Sequence, residues 1–184
     1  MDDAADGGKV KERYNGSGAT VRGFNVEGRA AFTRWFELQA GVTLQQSRYK
    51  EPEFWSEDAE VPPVRRMFRT PDAYGYFTAS FKPVRNFTAD LSGTCTGSML
   101  VQHMAGSGVA QDVAVSTPSF FDMNIRLSYD VRIYKEITMQ LYGGVQNLFN
   151  AYQKDFDKGV DRDSGYIYGP SLPRSWFVGA KFSF

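Results

Sequence analysis

Few side chains in this sequence are suited to chemistry, and only one of them is a histidine. His103 lies between Met99 and Met104, and an imidazole close to thioethers can ligate haem iron or copper. An ordinary loop contains the same residues, so the pattern leaves both interpretations open. With no second histidine, no nucleophile motif and no acid–base pair, the sequence predicts that the chain is not an enzyme and holds no cofactor.

Carboxylates recur between residues 155 and 163. They are Asp155, Asp157, Asp161 and Asp163. Such a run could chelate Ca²⁺, but Gly159 stands where an EF-hand loop needs an acid and Val160 where it needs glycine. Lys154, Lys158 and Arg162 lie among the acids and neutralise them locally. The pattern therefore favours a solvated, salt-bridged loop and predicts no metal site.

A surface that captures a ligand is the third possibility. Aromatic side chains near residues 54–55 and 152–168 could hold a flat or hydrophobic solute, and three arginines could attract an anionic solute or a lipid phosphate. Packing of loops against one another, or simple solvation, explains the same residues equally well. The candidate ligand-binding residues are Trp55, Arg65, Arg66, Arg69, His103, Tyr152, Tyr166 and Tyr168.

Seven segments that alternate between apolar and polar residues must position these candidates. A period of two indicates β-strands with one dry and one wet face, and no helical period of useful length occurs. We predict strands near 21–33, 35–47, 73–83, 86–98, 119–132, 136–148 and 174–184. Each run is about ten residues, which suits a tilted strand that crosses a bilayer, whereas strands of soluble sandwiches are nearer 5–6 residues.

The connections between these segments alternate between short and long. Tight connections occur at 33–35, 83–85 and 132–136, and long ones at 49–71, 98–119 and 148–174. Short turns at one end and long loops at the other are typical of an outer-membrane barrel. In such a barrel the turns lie in the periplasm, and residues 1–20 would be the tail of another outer loop.

This orientation predicts where the aromatic and polar side chains lie. Aromatics should form a girdle at the turn end: Phe32, Trp35, Phe36, Phe87, Tyr134 and Phe184. Polar residues should face the lumen: Glu27, Arg29, Glu37, Asp90, Asp122, Arg126 and Lys181.

Composition narrows the possibilities further. The 184 residues carry 21 basic and 21 acidic side chains, which argues against a nucleic-acid partner, and the single Cys95 excludes an internal disulfide. A mean hydropathy of −0.41 and the lack of an 18-residue apolar run exclude a transmembrane helix. The first residues do not resemble a signal peptide, and seven strands do not make the usual even-numbered barrel. We therefore expect that an N-terminal portion of the protein lies outside this chain.

Several motifs resemble a known family. Residues 143–150 read GGVQNLFN and resemble the G-V-x-N-L-F-N close of the penultimate strand in TonB-dependent outer-membrane receptors. Residues 93–99, GTCTGSM, resemble the G-T-Y-T-G-S-M strand of a Bacteroidetes-like branch, with Cys95 in place of the usual aromatic. Residues 21–28, VRGFNVEG, resemble a G-x-E-containing strand of these barrels.

This resemblance implies an antiparallel transmembrane β-barrel of 22 strands in the Gram-negative outer membrane, of which the chain supplies the last seven. It implies lipid around the barrel, energy from TonB through a plug domain absent from this chain, and uptake of a scarce solute such as siderophore-bound iron, haem or cobalamin. The aromatic-ended last strand resembles the signal read by the barrel-assembly machinery. Its residues are Trp176, Val178, Ala180, Phe182 and Phe184.

Two other functions stay open at this point. A soluble barrel of lipocalin type would point Phe121, Ile125, Leu127 and Phe182 into a cavity and place the charged residues outside, whereas a receptor would do the reverse. A passive pore built from several copies of the chain would conduct ions across a planar bilayer. Dependence on detergent separates the soluble barrel from both membrane proteins.

Overall fold

The computed structural model describes residues 16–184, so the first fifteen residues of the predicted outer-loop tail lie outside the described part. The fold is all-β. Its strands are β1 (Ala19–Thr33), β2 (Phe36–Glu53), β3 (Val64–Arg66), β4 (Ala73–Val84), β5 (Phe87–Thr96), β6 (Leu100–His103), β7 (Val113–Ser116), β8 (Phe120–Tyr134), β9 (Ile137–Gln146) and β10 (Ser175–Ser183). Residues 16–184 contain no helix of the length and apolarity needed to span a membrane.

The seven long strands form one antiparallel sheet in the order β1-β2-β4-β5-β8-β9-β10. The short strand β3 pairs with β2, and β6 and β7 form a separate hairpin. Each of the seven predicted segments overlaps one long strand of this sheet, although β1, β2, β4 and β8 extend beyond the predicted bounds, and the predicted antiparallel all-β class is confirmed. Within residues 16–184, β1 pairs only with β2 and β10 only with β9, so the sheet does not close into a barrel.

The register sorts the side chains of the sheet onto two faces. Phe24 lies opposite Leu44, and Leu44 lies opposite Ala73. Residues paired in this way, together with every second residue along each strand, place apolar side chains on one face of the sheet. Asp90 lies opposite Arg126, and residues of that parity form the other, polar face. Because side chains alternate along every strand and the register is antiparallel throughout, a slip of one residue anywhere would mix the two faces.

The apolar face has no protein layer packed against it in the described residues. Trp176 is 77% exposed and Val178 is 89% exposed, and Phe24, Leu127 and Leu141 are exposed as well. A soluble monomer seldom leaves a contiguous apolar surface of more than a few hundred Å² exposed to water. A face of this extent is what a sheet presents to lipid.

Aromatic rings cluster at the turn end of the sheet, where the two-residue connections lie. Trp35 contacts Phe81 edge to face at 5.3 Å between ring centroids, and Phe32 stacks on Phe36 at 5.7 Å. Tyr134, the last residue of β8 before the third short turn, is 60% exposed. Such rings suit the boundary between lipid hydrocarbon and headgroups. Their bodies are apolar, and tyrosine and tryptophan add a polar group at the edge of the ring.

The motif at residues 143–150 anchors the end of β9. A side chain at Gly144 would meet the backbone oxygen of Ile125 at 2.1 Å, so only glycine permits this close approach of β8. Asn147 then turns the chain with φ of 50°, a conformation that asparagine tolerates well. Its Nδ2 donates to the Ala151 oxygen at 2.9 Å and to the Leu172 oxygen at 2.8 Å, and its Oδ1 accepts from the Ala151 nitrogen at 2.8 Å.

The hydrophobic core of the described residues lies outside the sheet. Val101, Tyr166 and Tyr168 are buried together in the long connections, and Met99, Val115 and Phe120 pack against them. The packing that resembles a soluble protein is therefore concentrated at the end of the sheet opposite the short turns.

Candidate functional site

Three long connections meet at one end of the sheet and form a single packed body. We name them loop A (residues 54–72), loop B (97–119) and loop C (147–174), and together the loop assembly. Phe68 of loop A forms a parallel bridge with Leu100 of loop B, and the Arg69 nitrogen donates to the Leu100 oxygen at 2.7 Å. The sequence predicted loops B and C to within one residue but began loop A five residues too early, and it did not predict the short strands β3, β6 and β7 inside the loops.

Two of the three predicted basic residues hold the loops together. The Arg69 guanidinium donates to the backbone oxygens of Ile167, at 2.9 Å, and Gly165 in loop C. Arg66 donates to the Ser98 oxygen at 2.7 Å and pairs with the Asp72 carboxylate at 3.0 Å. Planar guanidinium groups suit such multiple contacts, because their donors lie in a fixed fork.

The third arginine and the tryptophan of loop A lie apart from loop C. Arg65 is exposed and donates to the Lys50 oxygen at 3.2 Å. Trp55 packs edge to face on Phe68 at 5.3 Å and donates from Nε1 to the Pro62 oxygen at 3.3 Å. Arg65 and Arg69 are both exposed, but the Arg69 guanidinium is bonded to two oxygens of loop C, so Arg65 keeps the charge with fewer protein contacts.

His103 ends strand β6 and is buried, with 6% of its surface exposed. Its Nε2 lies 3.0 Å from both carboxylate oxygens of Asp157 in loop C. Its ring stacks on Tyr166, with 3.7 Å between centroids and 4° between planes. The hydrogen bond from His103 holds the pKa of the Asp157 carboxyl below its usual range, against the opposing effect of burial.

Asp155 is itself exposed and binds the hydroxyls of two buried tyrosines of the loop core. Its carboxylate accepts from the Tyr166 hydroxyl at 2.7 Å and from the Tyr168 hydroxyl. Removal from water alone would raise the pKa of the Asp155 carboxyl, but these two hydrogen bonds outweigh it and lower the pKa. Burial and the bond to Asp155 raise the pKa of the Tyr168 hydroxyl to about 12, and they raise the pKa of Tyr166 as well.

The remaining acids of the run also make loop contacts. The Asp163 carboxylate accepts from the Met104 nitrogen at 2.8 Å, and the backbone oxygen of Asp161 accepts from the Ser107 nitrogen at 3.0 Å. Residues 16–184 hold no group of three or more histidine, cysteine or acidic side chains that could hold a metal ion. The carboxylates of Asp157 and Asp163 therefore join loops B and C.

A groove of about 590 Å³ lies on the side of loop C next to the apolar face. Tyr152 and Tyr168, two of the predicted ligand-binding residues, line it together with Phe149, Phe121 and Lys154. Tyr152 is 41% exposed there, so its ring is accessible, whereas the Tyr168 ring belongs mainly to the loop core.

The structure thus brings Arg69, His103, Tyr166 and Tyr168 into one cluster, with Tyr152 in the groove beside Tyr168. Arg66 joins loops A and B, and Trp55 and Arg65 lie at separate positions. Their roles in ligand binding stay predictions. Sequence reasoning missed Asp155 and Asp157 as hydrogen-bond partners of these residues. Asp155 and Asp157 are two residues apart, so both carboxylates lie on the same side of an extended segment. This spacing was the signal in the sequence that could have indicated a shared role.

Below the loop assembly, the polar face carries bonded pairs of polar side chains. Gln39 donates to Glu27 at 2.9 Å, and Arg29 pairs with Glu37 on the same two strands. Farther along the sheet, Arg126 lies over the Tyr142 ring, 4.4 Å from its centroid. These predicted lumen residues therefore share one continuous face, as the register requires.

The fold is shared with two structures of the ferric-catecholate import receptor Fiu from Escherichia coli K12. The closed form matches 88% of this chain at 20% identity with a TM-score of 0.61. The chain has the fold of a receptor-barrel segment. The open form matches the same share at 19% identity with a TM-score of 0.56, and the chain spans about 20% of the length of either receptor.

At this level of identity the likeness shows the fold alone. It supports the resemblance to a receptor barrel that the motifs indicate. No family model and no curated protein sequence matches the chain.

Proposed function

We propose that this chain forms part of the wall and outer surface of an outer-membrane receptor that imports a scarce solute, of the ferric-siderophore class. The observation that carries the proposal is the seven-stranded sheet whose register separates one exposed apolar face from one polar face. The fold shared with a ferric-catecholate import receptor supports the same function. The protein acts in this proposal as a transporter and not as an enzyme.

Each part of the structure has a distinct role in this proposal. The apolar face lies against lipid, the polar face lines the passage, and the loop assembly faces the outside and receives the solute. TonB supplies energy through a plug domain of the same receptor, and the barrel-assembly machinery reads the strand that ends at Phe184. The accessible residues Arg65 and Tyr152 are the members of the predicted ligand set that a solute reaches first.

Uptake by cells tests this function. A strain lacking the gene should take up less ⁵⁵Fe supplied as a ferric catecholate than the parent strain, and the gene in trans should restore uptake. A proton uncoupler should abolish the gene-dependent part, because TonB draws on proton-motive force. The protein should fractionate with outer-membrane markers. Uptake that is independent of the gene, or that continues unchanged with the uncoupler, would contradict the proposal.

The two alternatives give different results in the same experiments. A lipocalin-type carrier needs a closed cavity lined by Phe121, Leu127 and Phe182, but these side chains are 40%, 44% and 52% exposed on an open sheet. Such a carrier would also remain monomeric without detergent. A passive pore would give conductance steps in a planar bilayer and solute flux that the uncoupler leaves unchanged.

A further inference from the structure

Two adjoining cavities lie on the polar face directly beneath the loop assembly. Their volumes are about 250 and 480 Å³, and Asp122, Gly169 and Pro170 line both. Asp122 belongs to β8 and lies opposite Thr94 of β5, on the polar side of the register. The cavities therefore sit between the sheet and loop C, on the passage side of the proposed receptor.

Asp122 is distinguished from the other carboxylates of the polar face by one buried oxygen that has no donor in the described residues. Glu27 accepts from Gln39, and Asp130 accepts from Gln140 at 2.9 Å. By contrast, Asp122 Oδ1 is buried and accepts no hydrogen bond from residues 16–184. A buried carboxylate oxygen without a donor is costly, and a cationic donor is the group that offsets this cost most fully.

The described lining of the two cavities contains no cationic side chain, and Asp122 is its single charged residue. Arg126 lies four residues along the same strand, about 13 Å away at the usual rise of a strand. Its guanidinium lies over Tyr142 and donates to Gln140 at 3.2 Å. The negative charge of Asp122 is thus left for a group from outside this lining.

The other walls suit an alkylammonium group. The Phe120 ring and the Met99 side chain supply apolar surface, and the Phe120 ring can also attract a cation. Thr94 and Thr96 add side-chain hydroxyls that accept hydrogen bonds from an ammonium. An anion, by contrast, would meet the uncompensated carboxylate in the same space.

We propose that the cavity around Asp122 is a subsite for an ammonium group carried by the transported solute. This inference rests on the proposed receptor function and adds a specificity to it: the solute bears a positively charged amine that enters ahead of, or beside, its iron-binding part. Solutes whose amine is blocked by acetylation bind this subsite weakly, because they lack the charge.

The test uses the complete protein encoded by the gene, purified in detergent with ¹³C-methyl-labelled methionine. Met99 lines the cavity, so its methyl resonance reports on occupancy. Titration with n-butylammonium chloride should shift this resonance saturably, whereas equal concentrations of sodium chloride or n-butanol should not. Asp122→Asn should weaken n-butylammonium binding at least tenfold, and Asp122→Glu should retain it.

Asp130→Asn is the matched control, since it removes a carboxylate from the same face of the same strand far from the cavity. It should bind n-butylammonium as the unaltered protein does. If Asp122→Asn fails to fold, the unaltered protein decides through the contrast at Met99 between n-butylammonium and uncharged n-butanol.

Three results would overturn the inference. They are no saturable shift of Met99 with n-butylammonium, an equal shift with n-butanol, and unchanged affinity in folded Asp122→Asn. Because binding in detergent needs no membrane energy, the outcome is separate from the uptake test. Failed uptake with intact n-butylammonium binding would reject the transport function and leave the subsite standing.

Discussion

Replacing Asn147 with alanine should open loop C far more often than in the unaltered protein. The substitution removes three side-chain hydrogen bonds of 2.8–2.9 Å from a residue that is 3% exposed. At about 1 kcal/mol for each bond, and about 1 kcal/mol for alanine at a φ of 50°, the cost is about 4 kcal/mol.

Asn150 in the same motif provides a matched control. It also has a positive φ, of 52°, but its side chain accepts a single hydrogen bond, from the Arg174 nitrogen at 2.9 Å. Asn150→Ala should therefore cost about 2 kcal/mol, which leaves a difference of about 2 kcal/mol between the two variants. That difference corresponds to about thirty-fold in the equilibrium for local opening.

Hydrogen exchange followed by mass spectrometry measures this difference directly. Peptides covering residues 151–174 should exchange about thirty-fold faster in Asn147→Ala than in Asn150→Ala. This holds under conditions in which the loop recloses faster than it exchanges, so that the exchange rate reports the equilibrium population of the open loop. Peptides from β4 should be unaffected in both variants and serve as an internal reference. Equal exchange of loop C in the two variants would refute the assignment of Asn147 as the anchor of this loop.

Three further predictions concern other parts of the molecule. Ala40→Arg, on the apolar face, should destabilise the protein in lipid vesicles by about 2–4 kcal/mol. Gln39→Arg, on the polar face beside Glu27, should cost less than about 1 kcal/mol. Equal losses of stability in unfolding titrations of the two variants would argue against a lipid-facing side. The pKa of Asp157 is lowered on folding, so its contribution to loop stability is complete above the ordinary carboxyl value of about 3.9 and is lost as pH falls through the folded pKa. Proteolysis of loop C should thus increase below about pH 4, and Asp157→Asn should reduce that increase. An unchanged acid profile in the variant would contradict this assignment. Finally, Phe184→Ala should lower the amount of protein in the outer membrane, and Ser183→Ala should leave it unchanged. Equal amounts of the two variants on immunoblots of outer-membrane fractions would count against the last strand as an assembly signal.

The strands of the sheet were predictable because their signal is local. Alternation along residues 121–131 already defines both faces of β8, and no knowledge of its neighbours is needed to read it. The length of β2 was underestimated, since it continues to Glu53 beyond the alternating segment. Its last residues pair with β3, and that pairing depends on a contact between separate parts of the chain.

The contacts of the loops could not be predicted in the same way. His103 and Asp157 lie 54 residues apart, and neither has a sequence neighbour that indicates the other as its partner. Arg69 bonds to backbone oxygens about a hundred positions away, and a backbone acceptor leaves no trace in the sequence. The motif at 143–150 was recognisable as a pattern, whereas the reasons for Gly144 and Asn147 became clear only from the atoms that surround them.

The bonding between loops A, B and C also limits how such a protein can be modified. If loop C alone were exchanged for that of a relative, Arg69 would keep its two backbone acceptors only on the same backbone path, and His103 would keep its partner only with an acid at position 157. Grafting should therefore succeed when the three loops are transferred together, as one inherited block. A lineage that acquires a new specificity through these loops would be expected to replace them jointly or to alter only their accessible residues, such as Arg65 and Tyr152.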